Sequence, residues 1–157
     1  MKKLFTLTIL TIFIGCMSAP GMPGYISVSE SKFDGSKQIS IEPAWLYNSP
    51  IKLSLMKNTK MAEESIILTV VVKDAHNFAT GESLHFNIDG EVVSFESIDT
   101  LTDIETDPGL HNSVASIAAS NWSSKRYKVT KDFINRIINA NDVWVKVELT
   151  KTFSEGR

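Results

Sequence analysis

Asp99, Asp103, Glu105 and Asp107 place four carboxylates within nine residues, the last three at alternate positions before Pro108 and Gly109. Hard oxygen donors on a loop are what a calcium ion takes. The order of residues departs from an EF-hand loop. Counted from Asp103, the sixth place, where the sharp turn needs Gly, holds Pro108. The twelfth, where a bidentate Glu closes the shell, holds Val114. A solvated acidic loop is therefore expected at residues 99–107, with metal binding as the alternative.

His85, Asn87 and Asp89 form a second group. On a strand, alternate residues project from one face, so these three could gather a ligand. The same spacing also describes the solvent side of any half-buried strand. His76 and His111 fall in predicted loops without the close ligand spacing of a zinc site. No Gly-x-Ser-x-Gly elbow occurs, and Gly21 and Gly24 match neither a P-loop nor a dinucleotide fingerprint. No cofactor is expected. Trp144 alternates out of phase with Val143, Val145 and Val147. That puts it on the polar side of its strand, where an exposed aromatic could bind a partner or a sugar, unless the neighbouring helix buries it.

The elements that must position these residues are mostly strands. With 157 residues, 43% of them hydrophobic, the chain suffices for one core-bearing domain. From Tyr25 onward, apolar residues recur at every second position, as in Tyr25–Ser29, Gln38–Ile41 and Ile51–Leu55. Pro43 and Pro50 bracket Trp45-Leu46-Tyr47, which reads as an edge or a bend. Ile66–Val72 is almost continuously apolar and β-branched, so it should be a central strand buried on both sides.

Asp89-Gly90 suits a two-residue type I′ hairpin, because both positions need positive φ. That turn sets Phe86 opposite Val93 and Leu84 opposite Phe95, with Ile88 on the same face. One helix is expected, capped by Thr130 and running to about Ala140. Asp132 favours its N-terminus, and Phe133, Ile134, Ile137 and Ile138 form its apolar stripe. Lys125, Arg126, Lys128 and Lys131 read as a solvated basic face. Val143–Leu149 is the last clear strand, and Phe153–Arg157 is either a frayed tail or the approach to a missing covering element. About seven strands and one short helix imply a mainly β, sandwich-like domain over residues 25–157, with a β-rich α+β fold as the alternative.

The start of the chain carries a different signal. Lys2 and Lys3 precede the uncharged run Leu4–Ile14, which ends at Gly15-Cys16, the one cysteine in the sequence. Eleven helical residues rise only about 16 Å, roughly half a bilayer core, so residues 1–15 read as a signal peptide rather than a permanent span. A lone cysteine cannot form an intramolecular disulfide, the usual role in an exported protein. Phe13-Ile14-Gly15-Cys16 resembles the lipobox of bacterial lipoprotein precursors, with Phe13 where Leu is commonest. The resemblance implies cleavage before Cys16 and acylation of its sulfur, which anchors stably when several chains are attached. In that family an Asp after the cysteine tends to retain the protein in the inner membrane. Met17 stands there instead, which implies the periplasm-facing leaflet of an outer membrane. A cytoplasmic-membrane anchor or secretion are the alternatives. Residues 16–24, with Pro20, Gly21, Pro23 and Gly24, would be a tether.

Removing residues 1–15 deletes two lysines and no acid, taking the net charge from −2 to −4. Nucleic acid is not the expected partner. The membrane, through acylated Cys16, and an envelope protein or polysaccharide are. The first functional expectation is a lipid-anchored envelope protein with a binding or structural role. The others are an envelope hydrolase with an active site assembled from distant strands, and a small metal- or ligand-binding domain.

Overall fold

The computed structural model describes residues 19–107 and 120–157. The expected signal peptide 1–15, Cys16 and His111 lie outside them. Two antiparallel sheets form a β-sandwich-like domain, mainly β, with one helix among the described residues. The first sheet has six strands in the order β1 (Ile26–Glu30), β2 (Lys37–Trp45), β3 (Ile51–Asn58), β4 (Ser65–Lys73), β8 (Ser120–Thr130) and β7 (Asp103–Asp107). The second has four, in the order β10 (Phe153–Gly156), β9 (Val143–Glu148), β5 (Glu82–Ile88) and β6 (Glu91–Glu96).

The described residues thus carry ten strands rather than about seven. The additional ones are two short edges, β7 over the expected acidic loop and β10 over the expected tail, and the eleven-residue interior strand β8 over the expected basic run. β2 runs on through Pro43 to Trp45, because a register shift between Ile41 and Ala44 accommodates the proline. Before β1, residues 19–24 form turns, and the Gly24 N–H donates to the Glu42 carbonyl at 3.1 Å, tying that segment to β2.

β4 lies between β3 and β8, as its composition predicts. It is not equally buried on both sides. Leu68, Val70 and Val72 face the opposing sheet and are buried, whereas on the outer face Ile67 is buried and Thr69 and Val71 are only half-buried. From the second sheet, Leu84, Phe86, Ile88, Val145 and Val147 complete the core.

The Asp89-Gly90 turn has φ of 50° and 93°, and Phe86 pairs with Val93 and Leu84 with Phe95, as the turn chemistry requires. The helix, α1, spans Lys131–Ile138. Thr130 caps it, its hydroxyl accepting the Phe133 N–H at 3.2 Å. Phe133 drops into the core with its ring centroid 5.0 Å from Phe86 and 4.6 Å from Phe95, both edge-on.

One expectation fails on β8. Ser123, Lys125, Tyr127 and Val129 share the inner face, so Lys125 is buried while Arg126 and Lys128 face water. The basic run is therefore split by strand alternation instead of forming one solvated face.

Candidate functional site

His85, Asn87 and Trp144 come together on the outer face of the four-stranded sheet. β5 pairs with β9 so that His85 lies opposite Lys146 and Asn87 opposite Trp144. These residues, with Val92, Glu148 and Glu155, line an open depression of about 550 Å³. Trp144 stays 45% exposed, so the helix does not bury it. Its indole N–H donates to Asp142 Oδ2 at 3.1 Å, and the Arg157 guanidinium lies 6.0 Å from its ring centre. Arg157 Nε is also 2.8 Å from Asp142 Oδ1, an ion pair without hydrogen-bond geometry.

The face carries a short polar string. Ser94, directly opposite His85 on β6, has its Oγ 2.8 Å from His85 Nδ1. On the other side of the ring, His85 Nε2 is 3.9 Å from Glu148 Oε1. A serine, an imidazole and a carboxylate in line are the parts of a nucleophilic site. Two observations weigh against that chemistry. The carboxylate is beyond hydrogen-bond reach of the ring and is held instead by Lys146 Nζ at 2.8 Å. That ammonium keeps the Glu148 carboxyl below its ordinary range, with His85 contributing less. Second, β5 lies between β6 and β9, so the backbone N–H groups beside His85 serve the sheet ladders, and only the edge strand β6 has donors to offer an oxyanion. The arrangement suits polar and aromatic contact with a partner better than bond cleavage.

Asn87 and Asp89 are spent locally. Asn87 Oδ1 accepts the Gly90 N–H at 2.9 Å, bracing the hairpin turn. Asp89 accepts the Asn141 and Asp142 N–H groups at 3.0 and 2.9 Å, fastening the turn to the start of β9.

Asp103, Glu105 and Asp107 are placed on the other sheet and Asp99 on the connection before it, so the four do not share one loop. Asp99 binds Arg126, accepting from its backbone N–H at 2.7 Å and from guanidinium Nη2 at 2.7 Å and Nε at 3.1 Å. Those contacts hold its carboxyl below the usual range. Asp103, Glu105 and Asp107 lie on edge strand β7 opposite Ser124, Trp122 and Ser120. Alternate residues on a strand stand about 7 Å apart, whereas calcium ligands must converge to within roughly 2.6 Å of one point. Among the described residues, no three His, Cys, Asp or Glu side chains gather in a way that could hold a metal ion.

The outer face of the six-stranded sheet holds a cluster that no spacing in the sequence announces. Trp45 lies opposite Lys52 across β2 and β3, and the Lys52 ammonium sits 4.4 Å from the Trp45 ring centre and 3.9 Å from that of Trp122. The two indoles are 5.5 Å apart and tilted by 57°. A cation held on two indole faces is favourable by electrostatics with the ring quadrupoles. Pro43, Val71, Glu105 and Thr106 complete a depression of about 460 Å³ there. Alternation within each strand was the only available signal, since the three residues come from three strands.

Ser54 and Lys57, outside the groups that the sequence singles out, stand in a Ser-x-x-Lys order, and it has no catalytic meaning here. Residues three apart on β3 face opposite sides, and Lys57 Nζ donates to the carbonyls of Ala62, Glu63 and Ser65 at 2.6–2.8 Å. Comparison with protein-family models, with curated proteins and with solved structures found no match for the chain.

Proposed function

We propose that this chain is a lipid-anchored cell-envelope protein whose β-rich domain works by binding. Residues 1–15 direct export, Cys16 carries the acyl groups, and residues 16–24 hold the domain near the outer membrane on its periplasmic side. The observation that carries the location is the basic, uncharged, Gly-Cys order of residues 2–16, with the chain's one cysteine at the cleavage point. The binding role draws on the two open sheet faces. One presents Trp144 beside Lys146 and Glu148, and the other presents Trp45 and Trp122 around Lys52. Exposed tryptophans flanked by charges suit an envelope polysaccharide or a protein surface.

Intact-mass measurement of the chain extracted from membranes tests the location. The expected mass lacks residues 1–15 and carries acyl groups on Cys16, and Cys16→Ser leaves the membrane fraction. A free thiol in native material, or an unchanged membrane fraction for Cys16→Ser, defeats the anchor. The role is tested by retention on isolated cell-wall polysaccharide. Trp45→Ala and Trp144→Ala should each weaken it at least fivefold, and retention unchanged in both variants defeats the polysaccharide reading.

A further inference from the structure

The two sheets do not close completely on each other. Between them is an apolar cleft of about 370 Å³. Ile41, Leu53 and Leu55 line it from the six-stranded sheet, Val145 from the four-stranded sheet, and Ile134 and Ile137 from α1. Among the described residues, its only polar lining residues are Ser54 and Arg157. The cause lies in the topology. The second sheet is two strands narrower than the first, so the inner face of β1 and β2 extends past it. Ile26 pairs with Ile41, which pairs with Leu55, and Val28 pairs with Ile39. These residues therefore share the face that leads into the cleft. Ile26, Val28 and Ile39 are exposed, so an apolar strip runs from the cleft to the sheet edge.

The lining selects its occupant. A saccharide or peptide placed there would lose hydrogen bonds to water and find almost none in return. Unfilled apolar space is itself destabilising in proportion to its volume. Cavities of this size lined mainly by apolar side chains, with a few polar groups, are what small-ligand sites look like. At roughly 30 Å³ per methylene, comparable to a liquid water, the space holds a chain of about twelve carbons. The lining is mostly branched aliphatic, which suits a flexible alkyl chain better than a planar ring. Arg157 sets the charge of the head group. Its guanidinium borders the cleft, its side chain is 58% exposed, and its Nε is 2.8 Å from Asp142 Oδ1.

We propose that the cleft binds one free fatty acid, its alkyl chain between the sheets over Leu53, Leu55 and Ile137 and its carboxylate at Arg157. This reading stands apart from acylation of Cys16, because it rests on the lining alone.

The test uses the exported chain carrying Cys16→Ser, purified without detergent and titrated with saturated fatty acids by calorimetry. Dodecanoate should bind one to one. Affinity should rise about three- to fourfold per added methylene from octanoate to dodecanoate and then level off. Dodecyltrimethylammonium, with the same tail and the opposite charge, should bind at least tenfold more weakly, and Arg157→Gln should erase that difference. Leu55→Trp and Ile137→Trp, which fill the cleft, should each lower dodecanoate affinity at least tenfold. Should neither of these fold, the chain-length series and Arg157→Gln remain decisive. Absence of saturable dodecanoate binding overturns the proposal, as does equal affinity for the two head groups. Binding only to phosphatidylglycerol vesicles would make the strip a membrane-docking face instead. A dimer that Leu55→Trp dissociates would make a second copy the occupant, and either result overturns the fatty-acid site.

Discussion

The Tyr127 hydroxyl, at the inner face of one sheet, lies 2.8 Å from Ser83 Oγ at the start of β5 in the other. Both residues have no solvent exposure. A hydrogen bond thus joins the two halves of the sandwich across its interior. Burial pushes the Tyr127 phenol up to about 12, with the Ser83 contact acting in the opposite direction.

Tyr127→Phe should therefore cost about 1–2 kcal/mol in urea unfolding, because it strands the Ser83 hydroxyl. Adding Ser83→Ala should recover part of that loss, a coupling a double-mutant cycle reads directly. The raised phenol also sets a pH dependence. Its contribution is fully present below the ordinary tyrosine value near 10 and disappears as pH rises through about 12. The parent should lose stability over that window, and Tyr127→Phe should lose less.

Asp99 and Arg126 give the opposite sign. The Asp99 carboxyl is lowered in the fold, so its contribution is present above about pH 4 and is lost as pH falls through the lowered value. Asp99→Ala should cost about 1–2 kcal/mol at pH 7, modest because the Arg126 side chain is half-exposed. The gap between parent and variant should narrow below pH 4, as urea unfolding at pH 7 and pH 3 would show. A constant gap would mean that packing, not charge, holds this corner.

Phe133 is the residue through which α1 grips the core. Phe133→Ala removes a ring stacked edge-on against Phe86 and Phe95 and should cost about 3–4 kcal/mol. Ile138, five residues on, is 71% exposed, and Ile138→Ala should change stability by no more than about 0.5 kcal/mol. Thermal unfolding of the pair measures how far the helix is held by one side chain.

Gly156 in β10 marks where the last strand is pressed against the β2–β3 connection. A Cβ there would collide with Ser49 and come within 3.0 Å of Leu46 Cβ. Gly156→Ala should cost about 1–3 kcal/mol by overpacking. Ser49→Gly in the same chain should restore much of it, and full retention of stability in the single variant would show that β10 can shift without loss.

How much of this was readable in advance depends on the range of the interaction. The Asp89-Gly90 hairpin, its register, the Thr130 cap and the centrality of β4 follow from residues close in sequence. The acidic stretch at 103–107 reads as a loop because its carboxylates dominate the pattern. It becomes a strand because β8 offers it an edge to pair with. Lys125 reads as solvent-facing by type and is buried by phase. The grouping of His85, Asn87 and Trp144 is half legible. Alternation puts each on an outer face, but only the β5–β9 pairing makes them neighbours.

The amino-acid order alone determined the strand-rich character, the hairpin register and the helix cap. Each depends on backbone preference or on alternation within a few residues, and those forces act before the chain meets itself. Tertiary structure alone decided which strands pair, and hence the Trp45–Lys52–Trp122 cluster, the Asp99–Arg126 clasp, the docking of β10 and the apolar cleft. All four bring together segments far apart in the chain. Their positions follow from how two sheets of unequal width bury the most apolar surface, a quantity that no local pattern contains.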